Sequence, residues 1–292
     1  MIQLLSTTPI TYSIKYNMQN MAYQRVSDRQ NGKNFFCPDK LEAAGETISF
    51  GTFPFSRCIN HRKLKLSFED VGGILHYQRL FGGKKFEANI ASSKQEYCIM
   101  PAAPLNLPVS MTDFLQIRFN EIEVEPGTKT TIFVTAPLEV AVTLKAENEA
   151  VKTLDVFSFA KPKFALYGSA TRGVLARTVV SKVSTAPHPV KNYKEFLLRL
   201  EIENTSEAWA AIGRVILYMK GLSLYYNATS VAASAKVTIV NQDTAEVTCE
   251  DILPGENMTR AESVFRLRRL DEVCNIKGVI YDNTFIMDMG LK

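Results

Sequence analysis

The sequence predicts an all-β protein, an antiparallel β-sandwich built as one sandwich or as two packed sandwiches, with at most one short C-terminal helix. Three observations predict it. Short segments of alternating apolar and polar residues recur, separated by turn signals roughly eight to twelve residues apart. No strand–helix–strand rhythm interrupts them, which disfavours a doubly wound nucleotide-binding fold. The 292 residues, 46% apolar and 22% charged, have the composition of a folded chain of one large or two modest domains.

Residues 1–45 stand apart, rich in Asn and Gln, poor in alternation and holding Met18 and Met21. They read as a weakly structured N-terminal arm or a mis-assigned start. Residues 46–292 read as the sandwich region, with a candidate division at the polar stretch 146–152. Leu64, Leu66 and Phe68 alternate with Lys63, Lys65 and Ser67, as in a strand with one buried face. Gly72-Gly73 and Gly82-Gly83 then supply hairpin turns, because glycine tolerates the positive φ such turns need. Pro101, Pro104 and Pro108 mark a connection, since proline cannot donate to a sheet ladder.

The strongest β signal covers 112–144. Leu115, Ile117 and Phe119 share one face, and the phase then flips to Ile122 and Val124. A bulge near Asn120-Glu121 restores both sets to the core. Glu125-Pro126-Gly127-Thr128 suits a type II turn, with strands on either side. Further strands are expected at 154–159, 164–167, 174–183, 195–203, 214–218, 235–240 and 245–250, with Asn241-Gln242-Asp243-Thr244 as a hairpin loop. Residues 262–274 fit either a helix, from Val264, Leu267 and Leu270, or a strand.

Charge and cysteine usage bound the function. Thirty-four basic against thirty acidic residues give +4, too mild for a generic nucleic-acid binder. No apolar run reaches the roughly eighteen residues a spanning helix needs, so membrane insertion is not expected. The five cysteines are odd in number and form no C-x-x-C pair, which argues against a disulfide framework or a structural zinc site and for a reducing, cytoplasmic setting. Cys58 lies three residues before His61, a weak hint of a thiol–imidazole pair.

Gly168-Ser169-Ala170-Thr171-Arg172-Gly173 has P-loop glycine spacing, but Val174 and Leu175 stand where a phosphate-binding Lys and a Mg²⁺-binding hydroxyl belong, so it reads as a hairpin turn. His61, His76 and His188 show no ligand spacing, and neither metal nor cofactor is expected. Glu121, Glu123 and Glu125 share a strand face. With Asp155 they are the carboxylates a carbohydrate-active or other hydrolytic enzyme on a β scaffold would need. Trp209, the single tryptophan, is expected to anchor the core, with ligand stacking as the alternative.

The main charge anomaly is 161–200, where eight basic residues meet one acidic residue; 112–150 holds seven acidic against three basic. Cross-strand compensation is the expectation for most of this charge. The functional alternative is a surface for an anionic group, assigned to Lys161, Lys163, Arg172 and Arg177, with Tyr167 as an apolar contact.

Leu154-Asp155-Val156-Phe157-Ser158, Lys161-Pro162-Lys163-Phe164-Ala165-Leu166-Tyr167-Gly168 and Gly173-Val174-Leu175-Ala176-Arg177, with Pro137-Leu138-Glu139 and Met289-Gly290-Leu291, resemble an archaeal family of uncharacterised proteins, domain-of-unknown-function family 432. The resemblance runs from about residue 46 to the C-terminus. It implies an archaeal, cytoplasmic protein and brings no activity, cofactor or catalytic residue. The reading from the residues is a non-enzymatic binding or assembly module for a small anion or an acidic protein.

Overall fold

A computed structural model describes residues 49–61, 63–92, 96–108, 111–169, 173–255, 257–264, 280–281 and 284–289, all within the larger of two compact units, Lys40–Lys292. The arm expected at 1–45 lies outside the described residues. So does most of the segment expected to be helix or strand at 262–274; its described part, 262–264, is neither.

Alternation and turn glycines together produce twenty strands among the described residues. In chain order they are β1 (Gly51–Pro54), β2 (Ile59–His61), β3 (Leu64–Val71), β4 (Ile74–Phe81), β5 (Lys84–Ile90), β6 (Glu96–Ala102), β7 (Phe114–Val124), β8 (Lys129–Pro137), β9 (Glu139–Lys145) and β10 (Val151–Phe157). They continue as β11 (Phe164–Tyr167), β12 (Val174–Val180), β13 (Glu195–Asn204), β14 (Ala210–Tyr218), β15 (Tyr225–Tyr226), β16 (Val231–Ile239), β17 (Thr244–Glu250), β18 (Thr259–Arg260), β19 (Ile280–Tyr281) and β20 (Thr284–Asp288). The helical content of the described residues is one 3₁₀ turn, Met219–Gly221.

Four sheets form. Sheet I has the order β1-β6-β9-β10, sheet II β2-β3-β4-β5, and sheet III β11-β12-β7-β14. In sheet IV, β8, β13, β16, β17, β20 and β19 lie side by side, β15 pairs the start of β16, and β18 pairs β15. Pairing is antiparallel except at β12/β7 and β13/β16. The protein is thus an all-β sandwich, as expected. Sheets I and II meet through Phe55, Phe68 and Tyr97, with Phe68–Tyr97 ring centroids 4.6 Å apart. Sheets III and IV meet where Phe285 packs on Phe114 at 5.3 Å and on Tyr167 at 6.5 Å. One contiguous apolar cluster draws residues from all four sheets.

The phase flip in β7 resolves as expected. Ile212 faces Ile122 but Arg214 faces Arg118, so 119–121 oppose Gly213 alone. The extra residues return Val124 to the interior beside Phe119, Ile117 and Leu115. Gly127 has φ 69°, as the third residue of a type II turn requires, and Thr128 N donates to Glu125 O at 3.2 Å. The polar stretch 146–150 is the loop of the β9–β10 hairpin, closed by Ala146 N donating to Ala150 O at 2.8 Å.

Two local expectations fail. Pro101 lies inside β6, a central strand of sheet I. It is tolerated because β1 pairs β6 only from Glu96 to Ile99, so at Pro101 only β9 is alongside. Trp209 is not a core anchor: it is 58% exposed, just before β14.

Candidate functional site

The basic segment of the sequence becomes the outer edge of sheet III. Among the described residues β11 pairs only with β12, Phe164 opposite Arg177 and Leu166 opposite Leu175. Thr178 N donates to Lys163 O at 2.8 Å. By the alternation of an antiparallel ladder, the backbone groups of Phe164 and Leu166 then point away from β12, toward open edge. The connection back is glycine-dependent. Gly168 has φ 100°, and a side chain on Gly173 would start 2.5 Å from Ser169 O and 2.8 Å from Tyr167 O.

Opposite residues of a ladder share a face, so Phe164, Leu166, Leu175 and Arg177 point one way, and Ala165, Tyr167, Val174 and Ala176 the other. On the first face Leu166 is 49% exposed and Leu175 37%. Thr112 Oγ1 donates to Leu175 O, which brings exposed Met111 to the same neighbourhood. Lys161 and Lys163 lead into β11 and are exposed. Among the described residues, neither enters an ion pair.

The other residues assigned to the anion surface sit differently. Arg172 lies outside the described residues. Tyr167 is buried against Phe285, so Leu166 and Leu175 hold the outward apolar position instead. Arg177 is turned inward: Nη1 donates to Glu139 Oε1 at 3.1 Å, and Nη2 donates to Leu107 O. Glu139 in turn accepts from Asn106 N at 2.9 Å and Leu107 N at 3.0 Å. Burial pushes the Glu139 carboxyl above its usual range, against the pull of Arg177. This guanidinium is neutralised inside the protein, which removes it from the outward charge. The sequence paired no carboxylate with Arg177, because Glu139 is 38 residues away and comes from another sheet.

The carboxylates considered for hydrolysis divide between two places. Glu121, Glu123 and Glu125 are exposed along β7 and its turn in sheet III. Asp155 is buried in sheet I, where it accepts from Tyr77 Oη at 3.0 Å, from Arg79 Nε, and from Val156 N at 2.8 Å. It therefore clamps sheet I to β4 of sheet II. A shallow cleft lined by Ala102, Ala103, Leu222, Leu224, Arg260 and Val264, among others, contains none of these carboxylates. Its one rim guanidinium, Arg260, is held by Asp251 at 2.8 Å and Ser223 at 3.1 Å.

Cys58, Cys98 and Cys249 are not joined in disulfides; Cys37 and Cys274 lie outside the described residues. Among the described residues no group of three His, Cys, Asp or Glu is placed to hold a metal ion, and no helix is long and apolar enough to cross a membrane.

Fold and surface together define an all-β sandwich protein with a basic, partly apolar sheet edge. A family model described as "protein of unknown function (DUF432)" matches residues 49–288, and the chain belongs to that family. No curated protein and no solved structure matches it.

Proposed function

We propose that the protein is a non-enzymatic binding module that captures an acidic segment of a protein partner at the β11–β12 edge of sheet III. The observation that carries this reading is the juxtaposition of two exposed lysines, Lys161 and Lys163, outside any ion pair of the described residues, with exposed Leu166 on β11, which among the described residues has a neighbour on one side only, and exposed Leu175 opposite it on β12. An open strand edge offers main-chain hydrogen bonds to an extended segment, and alternate side chains supply selectivity. Here that selectivity is for carboxylates near the lysines and an apolar residue on the leucines. Arg172, outside the described residues, belongs to the same basic segment of the sequence. Arg177 shares that face of the ladder but is buried against Glu139 and does not meet the partner.

A fluorescent peptide of alternating Glu and Val is the test, with duplex DNA as a second probe. The expected result is capture of the peptide that weakens as salt is added, since exposed charges are screened over roughly 10 Å at moderate ionic strength. Capture is lost on K161E/K163E and reduced on L166K. Equal capture by wild type and K161E/K163E overturns the reading, as does retention of DNA with no retention of peptide.

A further inference from the structure

On the β7–β14 side of sheet III, exposed carboxylates stand on β7 and the turn that follows it. Past the bulge, exposed Glu123 lies directly across from exposed Ala211. Gly213 lies against Glu121, whose Cα and Cβ stand 3.7 Å from where a Gly213 side chain would begin. Trp209, 58% exposed, immediately precedes β14, whose first residue Ala210 lies across from Val124, between exposed Glu123 and Glu125. Exposed Trp209, Glu121, Glu123 and Glu125 thus belong to one end of the β7–β14 pair, where Ala211 and Gly213 are the facing β14 residues. No ion pair of the described residues uses Glu121, Glu123 or Glu125. The end is firmly held: Asn204 Nδ2 donates to Val124 O and Ala208 O, each at 2.9 Å, while its Oδ1 accepts from Ser206 N at 3.0 Å.

An indole face beside carboxylates suits a lysine or arginine head, which the ring quadrupole and the negative charges attract together. Lys161 and Lys163, outside any ion pair of the described residues, carry such heads beside β11 of the same sheet. We infer that the partner of the β11–β12 edge is a second copy of this chain: Lys161 and Lys163 of one copy dock on Trp209, Glu123 and Glu125 of the next. The two patches differ and lie on different strands of one sheet. The contact is therefore head-to-tail and propagates unless the rotation between copies closes a ring. This inference rests on the reading of the β11–β12 edge as a capture surface, and names its occupant.

The test is charge exchange followed by sedimentation velocity. Wild type associates as concentration rises at low ionic strength and dissociates on adding salt. K161E/K163E alone and E123K/E125K alone are monomers. Mixed in equal amounts they associate again, because each restores the opposite charge that the other lost. W209A weakens association with no change in thermal midpoint. Wild type that stays monomeric at low ionic strength overturns the inference, and so does a mixture that stays monomeric. If the Glu–Val peptide is still captured by the β11–β12 edge in that case, only the self-association falls; if the peptide is not captured either, the capture reading falls with it.

Discussion

Arg177 on β12 and Glu139 on β9 form an ion pair, 3.1 Å from Nη1 to Oε1, with the arginine side chain 5% exposed and the glutamate fully buried. The pair joins sheet III to sheet I, and its spare hydrogen-bonding capacity holds the backbone at Asn106 and Leu107. Removing one partner leaves a buried charge with no counter-charge. E139A and R177M are each expected to lower unfolding free energy by about 3–5 kcal/mol. E139A/R177M should cost clearly less than the sum of the two, which a urea double-mutant cycle reads directly. Additive losses would mean the pair is not coupled.

Asp155 makes the corresponding link between sheets I and II, accepting from Tyr77 and Arg79. Burial and the adjacent Asp155 carboxylate push the Tyr77 phenol well above its usual range. D155N keeps the volume but removes the charge that Arg79 faces. A loss of about 2–4 kcal/mol is expected, since a charged hydrogen-bonded pair is broken. Y77F, which removes one neutral donor, should cost about 1 kcal/mol. Reversal of that order in chemical denaturation would place the main clamp at Tyr77 rather than Arg79.

Gly173 closes the β11–β12 connection where no side chain fits. G173A forces the backbone at Ser169 and Tyr167 apart, an overpacking cost of about 1–3 kcal/mol. Peptide capture should fall in parallel, since the edge strand is displaced. Hydrogen exchange of the β11 amides would show faster opening. Unchanged exchange and capture would show that the connection adapts.

Trp209 separates a buried from an exposed role cleanly. A buried tryptophan truncated to alanine costs about 3–5 kcal/mol, whereas an exposed one away from special contacts changes stability by about 0.5 kcal/mol or less. W209A is expected to fall in the second group, and its indole emission should be quenched readily by iodide in the wild type. A large stability loss would return this residue to the core.

Two titrations should move stability in opposite directions. His76 Nδ1 lies 2.8 Å from Asn89 Oδ1 and Nε2 lies 3.1 Å from Glu87 Oε1. These acceptors, Asn89 first, raise the imidazole above its usual value of about 6.5. Its contribution is full below that usual value and is lost as pH rises through the raised one. Glu201 is held below the usual carboxylate range by Lys129, at 2.5 Å, and by Arg199. Its contribution is present above the usual carboxylate range and is lost as pH falls through the lowered value. Urea midpoints of H76Q and E201Q against wild type should therefore converge at alkaline pH for the first and at acid pH for the second.

Much of the fold is legible in the sequence. The alternation of Phe196, Leu198, Leu200 and Ile202 predicts which side of β13 is buried, and all four are fully buried. The flip after Phe119 predicts the bulge, and the paired glycines predict the hairpins. Much less of the candidate site is legible. Lys161 and Lys163 fall where charge counting places them, because a lysine flanking a strand edge goes to water under almost any packing. Arg177 and Tyr167 do not, because alternation says only which side of a strand a residue leaves, not what covers that side.

The sequence by itself determined the strands, the turns and the faces, since these depend on φ preference and on a period of two within a few residues. Only the tertiary structure decided that β12 runs parallel to β7, that Glu139 neutralises Arg177, that Asp155 belongs to a clamp, and that Trp209 lies in solvent. Each of those depends on contacts between segments tens of residues apart. Such contacts are fixed by the packing of four sheets around one core, and no local spacing encodes them.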